Sequence, residues 1–92
     1  MLNYLVEYLG TFLFLSVIVA VGQPVPIALA LLVVILLGGS ISGGHFNPAV
    51  SLMFWAKGGL TNADLAGYVL AQALGGLSAL GIYNVLSNGR GF

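Results

Sequence analysis

The sequence contains no cysteine and almost no charge. The first absence excludes a disulfide framework and a thiolate metal site. Only 4% of the 92 residues are charged, and they are Glu7, Lys57, Asp64 and Arg90. A soluble domain carries about a quarter charged residues, so a water-facing surface cannot be built from this chain. No basic cluster exists to give the electrostatic footprint of a nucleic-acid binder. One histidine and two remote carboxylates form neither a catalytic set nor a metal-ligand constellation. An enzyme is therefore not expected, and no cofactor is implied. A cleaved signal peptide is not expected either, because Met1–Glu7 lacks a positive n-region and no small-x-small cleavage pattern follows a short apolar core.

Apolar residues are abundant. They make up 60% of the chain, and mean hydropathy is +1.12. The expected class is an all-α, multi-pass integral membrane protein embedded in a lipid bilayer. Three apolar runs of about spanning length lie at residues 4–21, 27–39 and 63–86. Glu7 interrupts the first. It either snorkels to the interface or faces inward to accept hydrogen bonds from exposed backbone N–H groups. Gly10 and Ser16 permit close helix approach. Gly22–Pro26 reads as a short loop, and Gly38-Gly39 reads as the end of the second span. In the third, Gly67, Ala71, Gly75 and Ala79 recur every four residues. Such a stripe lets two membrane helices meet backbone to backbone. Gln72 beside it is either a helix–helix hydrogen-bonding partner or a brace for the loop near His45. Thr61 or Asn62 can cap this span, with Asp64 in its first turn.

The chain is organised around the stretch between the second and third spans, residues about 40–57. Ser40, Ser42, Gly43, Gly44 and His45 break the apolar run, and Asn47-Pro48-Ala49 restarts it. Asn is a strong N-cap and Pro is favoured at the first helical position, so a helix is expected from Pro48 to Ala56. Nine residues give about 13 Å at 1.5 Å each, less than half of a ~30 Å hydrocarbon core. The expectation is a re-entrant half-helix that leaves by the side it entered. Lys57–Asp64 then reads as an aqueous loop, with Lys57 marking the cytoplasmic side.

Irregular backbone at membrane depth is tolerated only where it is buried in protein or lines a wet cavity. The carbonyls of Gly43, Gly44, His45 and Phe46 would form a ladder of acceptors along such a cavity. The N-terminus of the half-helix carries about +0.5 of an elementary charge, and the Asn47 amide can donate beside it. Acceptors along a wall with a positive focus at its end favour oriented neutral dipoles and repel cations. Two functions fit, a neutral-solute pore and a transporter site built from broken helices. The shortage of intramembrane carboxylates weakens the second. His45 reads as a structural residue fixing the loop, with pH gating as the alternative. Phe46 and Trp55 read as packing and interface aromatics.

Ser42-Gly-Gly-His-Phe-Asn-Pro-Ala-Val50 resembles the first Asn-Pro-Ala loop of the aquaporin family, the major intrinsic proteins. Glu7-Tyr-Leu-Gly-Thr-Phe12 is similar to the family's opening Glu-x-x-Gly-Thr-Phe, and Gly67–Gly76 is similar to its third helix. The resemblance covers nearly the whole chain and is nearest to the bacterial water-channel branch. It implies an aquaporin-like half, three transmembrane helices plus one re-entrant half-helix carrying Asn-Pro-Ala. It implies a passive channel for water, glycerol or another small neutral solute in the inner or plasma membrane. Asn47 would hydrogen-bond the permeating molecule. Pro48 and Ala49 would stack on the matching tip of a second half, and Gly43, Gly44, His45 and Phe46 would supply pore carbonyls. Glu7 and Gln72 would support the loop. Val50 occupies the post-motif position as in a first half, and Ile27 falls near the second-helix filter position, which is usually aromatic in water channels. The family pattern has two inverted halves, so the partner implied is a second half, either a missing C-terminal half or an inverted copy, in a homo-oligomer (a tetramer by resemblance). The chain is expected to be a fragment of a six-span protein, with an inverted pair as the alternative. The competing function is a non-conducting membrane protein that assembles through the Gly67–Ala79 stripe.

Overall fold

In the computed structural model, residues 1–88 are described. Arg90, expected on the side opposite Lys57, lies outside them. Four helices follow one another, α1 (Leu2–Ala20), α2 (Pro24–Ser42), α3 (Pro48–Ala56) and α4 (Asn62–Ser87). No strand occurs among the described residues. Three of the helices, α1, α2 and α4, are long and apolar enough to cross a membrane. The fold is all-α, as the absence of charge and the long apolar runs require.

The helix ends follow from cap chemistry. Thr61 Oγ1 accepts from the Asp64 N–H at 3.0 Å and starts α4. Asn47 Oδ1 accepts from the Ala49 N–H at 2.8 Å and starts α3. At α2 both expected boundaries need correction. The helix begins at Pro24 rather than near Ile27, because the first turn needs no N–H groups and tolerates proline. It runs past Gly38-Gly39 to Ser42, and it stops at Gly43, whose φ of +91° makes a left-handed C-cap. Glycine inside a helix costs about 1 kcal/mol, whereas an unsatisfied backbone group in an apolar medium costs several. The helix therefore continues until a left-handed turn satisfies its last carbonyls.

The first helix is the centre of the fold. α2 packs on one side of it and α4 on another, while α3 rests on α4. α1 and α4 run parallel, since Tyr4 meets Asp64 and Gly67 while Leu15 meets Gly76 further along both. The small residues of α4 face α1. A Cβ added to Gly75 would lie 2.7 Å from the Tyr8 carbonyl oxygen and 3.1 Å from the Phe12 nitrogen. On Gly67 it would lie 2.5 Å from the Tyr4 ring. Ala71 and Ala79 are buried in the same seam, and Tyr8 and Ser78 share a 2.7 Å hydrogen bond across it. The stripe is therefore occupied within the chain. Assembly with partners through that stripe, the competing reading, would have to displace α1.

Candidate functional site: a broken segment braced by a buried carboxylate

After Ser42 the chain turns back alongside α2. Phe46 stands level with Gly38, so the segment has reversed by about one helical turn. Three residues with positive φ make the reversal. Gly43 and Gly44 have φ of +91° and +67°, and Phe46 follows at +52°. Phe46 is the one non-glycine residue with positive φ among the described residues. From Asn47 the backbone is extended, and α3 then departs toward Lys57.

Glu7 holds this reversal. It is wholly buried, so the inward arrangement, not snorkelling, is the one adopted. Its Oε2 accepts from the Ser42 hydroxyl at 2.7 Å and from the His45 backbone N–H at 3.0 Å. Its Oε1 accepts from the Phe46 backbone N–H at 2.8 Å and from Gln72 Nε2 at 2.9 Å. Four donors converge on one carboxylate, which is what an anion inside an apolar bundle needs.

A second layer extends from Gln72. Its Nε2 also donates to Ser51 Oγ at 2.8 Å, and Ser51 Oγ lies 2.8 Å from His45 Nδ1. Ser51 thus links Gln72 to the imidazole, whose other nitrogen, Nε2, lies beside Gly43. The imidazole is stacked on Phe54 at 4.9 Å and flanked by Tyr68 at 5.0 Å. The Tyr68 hydroxyl donates to the Ser42 carbonyl at 2.6 Å. Lys57 Nζ sits 5.6 Å from the centre of the Phe54 ring, and the Trp55 indole donates to Asn62 at 2.7 Å. Two buried atoms, Thr11 Oγ1 and Gln72 Oε1, have no hydrogen-bond partner among the described residues.

Glu7, Ser42, His45, Phe46, Ser51 and Gln72 are thus brought together and buried. Asn47, Pro48 and Ala49 project from them and are exposed, as is Gly43, while Gly44 and Val50 are half-buried. Asn47 uses its Oδ1 for the cap, which leaves its amide nitrogen as the outward group. Ile27 is not part of this cluster. It lies in the first turn of α2, fifteen residues or roughly 22 Å from Ser42 along the helix axis. Sequence reasoning did not single out Ser51 or Tyr68, which brace the loop from α3 and α4. Among the described residues no three His, Cys, Asp or Glu side chains are grouped to hold a metal.

An all-α bundle with three membrane-length helices and a carboxylate-braced break, capped by an exposed Asn-Pro-Ala turn, defines an integral membrane protein with a broken-helix site. The family model for major intrinsic proteins matches residues 19–91. The chain belongs to the major intrinsic protein family. It is 37% identical to Aquaporin Z of Photorhabdus laumondii over 76% of this chain and 30% of that protein. It is 39% identical to glycerol uptake facilitator protein-like 6 of Lactiplantibacillus plantarum, over 86% of this chain and 41% of that one. Aquaporin Z of Brucella melitensis is 50% identical over 56% of this chain and 23% of its own length. The chain therefore spans less than half the length of these curated relatives. No solved structure gives a significant match.

Proposed function

We propose that the chain supplies one half of a passive transmembrane channel for water or another small neutral solute. The observation that carries this reading is the polarity of the broken segment. The backbone N–H groups of His45 and Phe46 are consumed by Glu7, and that of Gly44 by the Ser42 hydroxyl at 3.2 Å. The carbonyls of residues 43–46 remain as acceptors, since no donor among the described residues reaches them. At the end of that ladder stand the positive N-terminus of α3 and the Asn47 amide nitrogen. A dipolar molecule would donate to the carbonyls and accept from Asn47, while a cation would meet the positive end.

In this reading α3 is re-entrant. Pro48 and Ala49 form the tip that meets a second half, either a continuation of the chain or an inverted copy, and the wall opposite Ile27 comes from that half. Val50 backs the tip. Glu7 and Gln72 are supports and do not touch the solute. The names of the relatives, aquaporin and glycerol uptake facilitator, agree with a neutral solute. The inner or plasma membrane and a homotetramer follow from the family resemblance.

The test is a chimera in which this chain replaces the matching N-terminal part of Photorhabdus laumondii Aquaporin Z. Proteoliposomes carrying it are expected to shrink in an osmotic jump faster than empty liposomes, without added proton leak. A chimera that inserts and folds yet leaves water permeability at the lipid background would overturn the proposal.

A further inference from the structure

We infer that Gly10 and Gly38 form a socket for the Phe46 ring, and that this ring in its socket sets the position of the Asn47–Ala49 tip. Phe46 is 2% exposed and is the largest of the fully buried side chains. A Cβ on Gly10 would clash with Phe46 Cε1 and lie 2.7 Å from Cδ1 and Cζ. A Cβ on Gly38 would lie 3.4 Å from its Cζ and 2.6 Å from Val6 Cγ1. One on Gly44 would lie 3.6 Å from Cε2. Glycines thus border the ring on α1, on α2 and in the loop itself; a Cβ at Gly10 would clash with the ring, and one at Gly38 would clash with Val6 while touching the ring.

The backbone supports a positioning role rather than simple filling. Phe46 holds φ at +52°, a conformation unfavourable for a bulky residue. Such strain persists only where the surroundings over-determine it. The left-handed turn sends the Phe46 ring toward α1 and α2, while Asn47 and Pro48 emerge on the exposed side. Whatever moves the ring must therefore move the tip. Glu7 stands one turn before Gly10 on the same helix and ties the backbone at His45 and Phe46. The carboxylate tethers the loop, and the socket fixes how far it reaches. Gly10 and Gly38 touch no solute in the proposed channel. They are positioning residues that act through Phe46.

The inference rests on the channel reading only for what the tip does, and its test is independent of conduction. The chain has no cysteine, so Ala49→Cys gives a unique reporter for a water-soluble maleimide in nanodiscs. Adding Gly10→Ala should push the ring and loop away from α1 and change the labelling rate about ten-fold, the ratio to which an overpacking cost of ~1.4 kcal/mol corresponds. Helix content by circular dichroism should stay unchanged. Shortening the ring with Phe46→Leu in the Gly10→Ala background should return the rate toward that of the parent, a coupling read as a double-mutant cycle. Gly81→Ala, where a Cβ meets nothing within 4 Å, should leave the rate alone. If Gly10→Ala does not fold, recovery of folding by Phe46→Leu supports the socket. A Gly10→Ala chain that labels like its parent, or a double variant that is not rescued in labelling or folding, overturns it.

Discussion

Glu7 costs the fold its one charge deep in an apolar helix, and its surroundings explain why that is tolerated. Both of its oxygens face donors, Ser42 and His45 on one side, Phe46 and Gln72 on the other. In Glu7→Gln the new amide NH2 must point at a backbone N–H whichever way it is turned, that of His45 or that of Phe46. The expected loss is about 2–3 kcal/mol, the range for removing charged hydrogen bonds and stranding buried donors. Thr11→Val, on the same face of α1, removes a buried hydroxyl that has no partner among the described residues and should cost far less. Reversible unfolding in mixed micelles checks both, and equal losses would contradict the bracing role of the carboxylate. Asn47 is the other informative residue. Asp is as good a cap as Asn, so Asn47→Asp should keep α3. It replaces the outward donor with a negative oxygen at a positive helix end. In a conducting assembly, cation and proton leak should rise while water still passes. Unchanged leak would remove the electrostatic role given to this end. Glu7 was ambiguous in the sequence, because its depth of two turns allows either orientation. Ser51 gave little signal, since one serine in an apolar helix resembles any small residue, although it lies one turn beyond the Asn47 cap.

At the scale of elements, chemistry that is local was legible and chemistry that is shared between elements was not. The start of α3 at Pro48 follows from Asn47 and Pro48 alone. The end of α2 does not follow from Gly38-Gly39, because the reason for Gly38 lies in Phe46 and Val6, residues from elsewhere in the chain. The stripe on α4 was legible as a packing surface, but its partner was not, because spacing does not say which helix it meets. That partner is α1, and at Gly75 it is the α1 backbone itself that comes close. Gly75→Ala would place a methyl against backbone atoms of Tyr8 and Phe12, which cannot rotate away. A loss of about 1–3 kcal/mol is expected, the range for overpacking. Gly67→Ala meets a side chain, the Tyr4 ring, and should cost less. Gly81→Ala meets nothing and should gain a few tenths of a kcal/mol up to ~1 from helix propensity. Unfolding midpoints ranked in any other order would show that the α1–α4 seam is looser than its geometry.

The described residues span 46 × 23 × 20 Å and are asymmetric in what they leave uncovered. With α4 seated on α1 through the glycine stripe, an inverted copy cannot dock there without unpacking the chain. The exposed Asn47, Pro48 and Ala49 instead put the unfinished surface at the loop tip. The nine residues of α3 reach about 13 Å, so a single half-helix covers less than half of a ~30 Å core. The chain inserted in one orientation is therefore expected to pass no water above the lipid background. Lys57 is the only lysine in the sequence and is exposed just after α3. Its modification from one side of the vesicle by an impermeant amine reagent, with the N-terminus blocked, reports orientation. Stopped-flow shrinkage of the same vesicles reports flux. Labelling of about half the chains in sealed vesicles, together with flux, would mean that inverted copies complete one another at their tips. Uniform orientation with fast flux would mean that half a pore conducts, and the length argument would then fail.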